Sequence, residues 1–205
     1  MQYQIRPLLN AFLKSYPQVQ VEMELTSRRV DVLHDDIDLA IRTNFAPNED
    51  ASIIVRDVIK TTHCLVASPE LLQGRQIQHV TELNDFPSIV LGTQKQSYQW
   101  HLHHIEHQDQ MDIALQPRIK SRDLSGASYA ALDGLGIADL PFLTVREDIQ
   151  AGRLIHILPD WCSNLGTVQL VYASRKGQGV LMEKLIEHLI EGLRAYAPDQ
   201  QGYKI

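Results

Sequence analysis

Hydrophobic positions in this chain switch repeatedly between a helical and a strand period, and the switches outline its elements. Ile5, Leu8, Leu9, Phe12 and Leu13 recur at helical spacing, Pro7 suits a first turn and Pro17 closes the run, so residues 5–15 read as an amphipathic helix. Strict alternation follows, with Val19, Val21, Met23 and Leu25 between polar neighbours, which predicts a strand with one apolar face. Thr26-Ser27-Arg28-Arg29 then opens a short helical segment holding Val30 and Leu33, and residues 37–42 form a compact second strand. Asn, Pro and Asp make residues 43–50 a loop. Residues 53–58 and 61–67 are further β-rich runs, Ser68-Pro69 has the cap-then-proline start of a helix, and residues 87–91 form a short strand.

Residues 94–112 are the least periodic stretch, rich in Gln and His with little to build a core, and read as surface that marks a change of compartment. Alternation then resumes with a strand at 118–121, a helix at 124–133, a Gly134-Leu135-Gly136 break, and a strand at 137–140 stopped by Pro141. Residues 144–151 look helical, 154–158 extended and 168–173 a strand; the last helix, 180–196, carries Leu181, Leu185, Leu189 and Leu193 along one side. Strands alternating with helices predict an α/β fold with largely parallel sheets. No internal repeat or low-complexity segment interrupts it.

Composition narrows the functional classes. The 205 residues are 44% hydrophobic and 21% charged, which is globular usage and excludes a coiled coil, a disordered tail or a disulfide scaffold. Lys+Arg 19 against Asp+Glu 25 leaves a net charge of −6, so the chain has no global electrostatic footprint for DNA. Its longest apolar runs, such as Ile53-Ile54-Val55, fall far short of the roughly 20 residues a membrane helix needs, so no membrane partner is expected. The N-terminus lacks the basic start and apolar core of a secretory signal, which makes a cytoplasmic location the expectation unless a leader preceded it. Cys64 and Cys162 stand far apart without a CxxC partner and read as reduced thiols.

Several punctuated segments occur in a telling order. They are Pro7-Leu8-Leu9-Asn10-Ala11-Phe12-Leu13-Lys14-Ser15-Tyr16-Pro17, Arg29-Val30-Asp31-Val32-Leu33, and Ile37-Asp38-Leu39-Ala40-Ile41-Arg42. Later come Cys64-Leu65-Val66-Ala67-Ser68-Pro69, Asp133-Gly134-Leu135-Gly136-Ile137-Ala138-Asp139-Leu140-Pro141, Ala151-Gly152-Arg153-Leu154 through Leu158-Pro159-Asp160-Trp161, and Val171-Tyr172-Ala173-Ser174-Arg175. Together they resemble the effector-binding domain of LysR-type transcriptional regulators over nearly the whole chain. The resemblance implies a type II periplasmic-binding-protein-like fold of two α/β lobes joined by two crossing strands, with a small effector in the cleft. It sets regulatory lobe I at residues 1–90 plus 169–205 and lobe II at 91–168. The family also carries an N-terminal winged helix-turn-helix and an opening sensor strand, for which residues 1–205 offer no counterpart. Without that strand, backbone groups and apolar surface are expected to lie exposed, open to pairing with another chain.

Candidate ligand contacts lie at strand ends, where open α/β sheets bind small molecules. Hydroxyls and N–H groups of Thr26, Ser27 and Arg28 suit an anionic group, but a plain helix cap suits them equally; the resemblance favours the ligand. Arg42 and Thr43 follow a strand at a place that in the family faces the cleft; Arg42 offers a fork to a carboxylate or, alternatively, a surface ion pair. Ser121, Arg122, Asp123, Leu124 and Ser125 form a strand-to-helix corner with free N–H groups, although Asp123 alone can cap it. Gly92-Thr93 and Pro141-Phe142 suit opposite pocket walls.

His101, His103, His104 and His107 tempt a metal reading, since His103 and His107 would share a face of a helix, but no HExxH is spelled and none is expected. No catalytic constellation, P-loop or GxGxxG emerges, so neither an enzyme nor a cofactor is expected. The resulting expectation is a small-molecule sensor, carboxylate-binding, that works as a homodimer or homotetramer and meets DNA only through another module. The alternative is a transporter's solute-binding protein, which shares the fold.

Overall fold

In the computed structural model, residues 2–26, 28, 30–44, 52–92, 98–174 and 179–195 are described, and they divide into two compact units. Unit 1 holds the chain up to Thr61 and again from Gly166, and unit 2 holds Thr62 to Leu165. The division falls earlier than the change of character near residue 90. The two β-rich runs at 53–58 and 61–67 are one 15-residue strand, β2 (Ile53–Ala67), whose second half belongs to unit 2.

Unit 1 is a small three-stranded sheet, which β2 enters by its first half, with two helices. In it β1 (Ala40–Asn44) runs antiparallel to β10 (Leu165–Ala173), from Ala40↔Val171 to Asn44↔Thr167. Helix α1 (Gln2–Ser15) packs on α5 (Val180–Ala195); Phe12, Ile186, Leu189 and Leu193 are buried, whereas Leu181, expected in the apolar stripe of α5, is exposed. Gly192 permits the close approach, because a Cβ there would lie 2.2 Å from Leu8 Cδ2. His188 Nε2 bonds the Leu8 carbonyl at 2.9 Å and fastens the same contact.

Two expectations fail in this unit. The alternating segment 19–25 belongs to no strand among the described residues, and Val21, Met23 and Leu25 are exposed. Among the described residues no helix follows Thr26 either: residues 32–34 make a turn, with Val32 buried and Leu33 exposed. Alternation supplies a face, but a strand also needs a neighbouring backbone to bond.

Unit 2 is built on the strand order β2-β7-β3-β6, with β3 (Ser88–Leu91) parallel to both β7 (Ile137–Pro141) and β6 (Pro117–Ser121). The sheets are mixed rather than largely parallel, since β2 pairs antiparallel with β7 and with β8 (Ile155–Ile157). Ser68 caps α2 (Pro69–Leu72) as its sequence predicts, accepting from the Leu71 N–H at 3.2 Å. Alternate residues of β2 feed two cores. Cys64 and Val66 join Ala138, Leu140 and the alanines of α3 (Leu124–Leu132), while Leu65 and Ala67 join Ile137, Trp100 and Leu102. Gly136 sits where a Cβ would come 2.7 Å from the Pro87 carbonyl, so the approach of β7 to β3 depends on it.

The stretch read as featureless surface is a hairpin. Strands β4 (Gln99–His104) and β5 (Gln110–Ala114) pair antiparallel, and β9 (Trp161–Cys162) joins the other edge of β4. Its inward residues Trp100, Leu102 and Ile113 are buried, and the exposed positions take the histidines and glutamines that hid the pattern.

Candidate functional site

Most of the expected contacts in unit 2 gather on one edge of its sheet. The parallel strands end there together, β6 at Ser121, β3 at Leu91 and β7 at Pro141, with Leu91 in register with Ser121. Gly92 follows β3 with φ +115°, and its N–H donates to the Ser121 carbonyl at 2.8 Å. Nothing lies within 4 Å of a Cβ built at Gly92, so backbone conformation rather than crowding calls for glycine. Helix α4 (Phe142–Gln150) starts directly after Pro141, and half-buried Phe142 packs against the second core.

The corner at Ser121 resolves one open alternative. Asp123 is the cap of α3, its carboxylate accepting from the Ser125 N–H at 3.3 Å and the Gly126 N–H at 2.8 Å. Ser121 Oγ accepts from the Asp123 N–H at 3.0 Å and donates to the Asp123 carbonyl at 2.8 Å. Leu124 packs into the second core. The first N–H groups of α3 are therefore already taken by the Asp123 carboxylate.

Unit 1 carries the remaining contacts. Thr26 is exposed, and its Oγ1 accepts from the Arg28 N–H at 3.3 Å, a turn with no helix to cap. Arg28 pairs with Asp35 at 2.6 Å; Asp35 also accepts from the Asp31 N–H at 2.9 Å, and these bonds hold its carboxyl below the usual range. Arg42 and Thr43 lie within β1, opposite Gln169 and Val168, rather than beyond its end. The Nε and Nη2 atoms of Arg42 are buried. Gln169 in turn donates to Asp57 Oδ1 at 2.7 Å, so Arg42, Gln169 and Asp57 make a polar row across β1, β10 and β2. Gln169 and Asp57 were missed; a lone Gln inside Val168-Gln169-Leu170-Val171 was the available signal. Ser27 and Thr93 lie outside the described residues.

The histidine-rich segment carries strands, not a helix, so His103 and His107 share no helical face. His101 pairs with Asp112 at 2.7 Å on the exposed side of the hairpin, and the His104 ring stacks on His107 at 4.5 Å. Among the described residues no group of three or more His, Cys, Asp or Glu is placed to hold a metal, and no helix is long and apolar enough to cross a membrane.

A family model described as the LysR substrate binding domain matches residues 1–194. The HTH-type transcriptional regulator DmlR of Escherichia coli strain K12 is 28% identical over 199 residues, which cover 95% of this chain and 62% of DmlR. YhjC of the same organism, an uncharacterized HTH-type transcriptional regulator, is 32% identical over 83% of this chain and 56% of its own. The chain thus spans about three fifths of the length of the curated relatives it matches. Among solved structures, the regulatory domain of AphB from Vibrio vulnificus superposes with a TM-score of 0.73 at 25% identity, covering 91% of this chain and 90% of that one. The CrgA regulatory domain of Neisseria meningitidis, described as a LysR-type transcriptional regulator, shares the fold with a TM-score of 0.78 at 20% identity, covering 92% and 91%. On this match of family model and fold, the chain belongs to the LysR substrate-binding domain family.

Proposed function

We propose that this chain senses a small carboxylate-bearing effector and passes its presence to transcription through a DNA-reading module outside residues 1–205. The observation that carries the reading is that the parallel strands β3, β6 and β7 end together, with Gly92, Ser121 and Pro141 at those ends, in a chain of this family. Arg42 offers a fork to a carboxylate, and Thr26 a hydroxyl; Asp123 disfavours an anion at the α3 corner, so Ser121 and Ser125 suit a hydroxyl or another neutral group. Regulation requires that the effector bind two arrangements of a homodimer or homotetramer with different affinity.

The test is an affinity comparison. Carboxylates found by thermal shift are titrated into wild type and into the double variant Thr26→Ala with Ser125→Ala. Loss of two ligand hydrogen bonds is expected to weaken binding about tenfold or more, with the melt still cooperative. Unchanged affinity removes these residues from the site and the reading with them.

A further inference from the structure

Unit 2 holds a polar cluster that the effector reading does not use. Asp139 on β7 accepts, at the same Oδ2, from Ser163 Oγ at 2.5 Å and from His63 Nδ1 at 3.2 Å, with both the imidazole and the carboxylate largely buried, at 13% and 10% exposure. Asn164 Nδ2 donates to Ser163 Oγ at 3.1 Å, and the Asn164 carbonyl accepts from the His63 N–H at 3.0 Å and from Thr62 Oγ1 at 3.1 Å.

The chain position of these residues gives the cluster its interest. Thr62 and His63 are the first two residues after the chain enters unit 2, and Ser163 and Asn164 come just before it leaves at Leu165. One carboxylate thus ties both passages of the chain to the central strand β7.

We propose that Asp139 is a proton-dependent fastener of these two passages, tight when His63 is charged and loose when it is neutral. Asp139 Oδ1 is buried with no hydrogen-bond partner among the described residues, so the ionised carboxylate is half satisfied. An imidazolium opposite it supplies the missing charge and a charge-assisted bond; a neutral imidazole supplies only a weaker bond and leaves the buried charge uncompensated. The neighbouring titratable groups do not compete. Cys162 on β9 and Cys64 on the opposite face of β2 are thiols whose titration burial pushes up, which keeps them neutral, and His156 on β8 pairs with Val66 on the face away from His63. Imidazole is the side chain whose charge ordinarily changes near neutral pH, which sets the range of the test. The proposal is independent of the effector's identity.

Amide exchange on the ¹⁵N-labelled 205-residue chain tests it, read as protection factors so that intrinsic exchange cancels. The His63 amide, which bonds the Asn164 carbonyl, is expected to lose about tenfold of its protection between pH 5.5 and 7.5, while the Leu65 amide deeper in β2 holds its value. In His63→Gln the protection is expected to be flat across that range, and in Asp139→Asn low throughout. Flat protection in wild type, or the same fall in His63→Gln, overturns the proposal. If Asp139→Asn fails to fold, wild type and His63→Gln decide alone.

Discussion

Segment 19–25 of unit 1 and strand β4 of the unit 2 hairpin are of similar length and have opposite fates. In the hairpin, five cross-strand pairs run from Gln99↔Ala114 to His103↔Gln110, β9 bonds the far edge, and Leu102 is wholly buried. In the other segment no described strand lies alongside, and Val21, Met23 and Leu25 are 41%, 46% and 58% exposed. The apolar content of the two does not explain the difference. A strand is held when its N–H and C=O groups meet a ladder and its inward side chains meet a second layer; the hairpin has both and segment 19–25 has neither.

The comparison can be broken most forcefully at Leu102. Truncation to Ala removes a fully buried side chain from the core under the hairpin and is expected to destabilise unit 2 by about 2–5 kcal/mol in denaturant melts; a loss under about 0.5 kcal/mol would mean the hairpin is not held by its core. Gly136→Ala comes next. Its Cβ meets a backbone carbonyl rather than a movable side chain, so a cost of about 1–3 kcal/mol is expected from the same melts.

A second contrast is between two histidines. Burial pushes the titration of His156 in unit 2 down, whereas the carboxylate of Asp31 pushes that of exposed His34 in unit 1 up. With the folded value below the unfolded one, His156 contributes stability above about pH 6.5 that is lost as pH falls through and below that value. His156→Gln should therefore flatten the acid side of the stability profile, seen as a smaller drop in Tm between pH 7 and pH 5. His34 works in the opposite sense, stabilising at low pH and losing that contribution as pH rises, but full exposure screens it, and His34→Gln should leave the profile unmoved. The smallest effect is expected at Met23→Ser, within about 0.5 kcal/mol of wild type, because the side chain already faces solvent. A large loss there would show that segment 19–25 is packed after all.

Local chemistry was legible wherever it decided the outcome. Ser68-Pro69 starts a helix, Asp123 caps one, and Leu189 and Leu193 of the α5 stripe face inward. Pairing was not legible, because it depends on residues far away in sequence: His63 meets Asp139, Gln169 meets Asp57, and β4 meets β9. The same limit explains Asp139 itself. In sequence it is one acidic residue inside a short strand, and only the approach of β2 and Ser163 shows that its carboxylate is enclosed. At the candidate site, the strand-end positions were visible from Gly92, Ser121 and Pro141, while the N–H groups that Asp123 occupies were settled only by its hydrogen bonds.

The central claim, that this chain is a sensor of small carboxylates, is tested most directly by its thermal melt with and without a panel of aromatic and aliphatic carboxylates. A ligand that binds only the folded chain raises Tm by mass action, and the account predicts a cooperative melt that at least one compound raises in proportion to the logarithm of its concentration. A cooperative melt that no compound in the panel moves would contradict it.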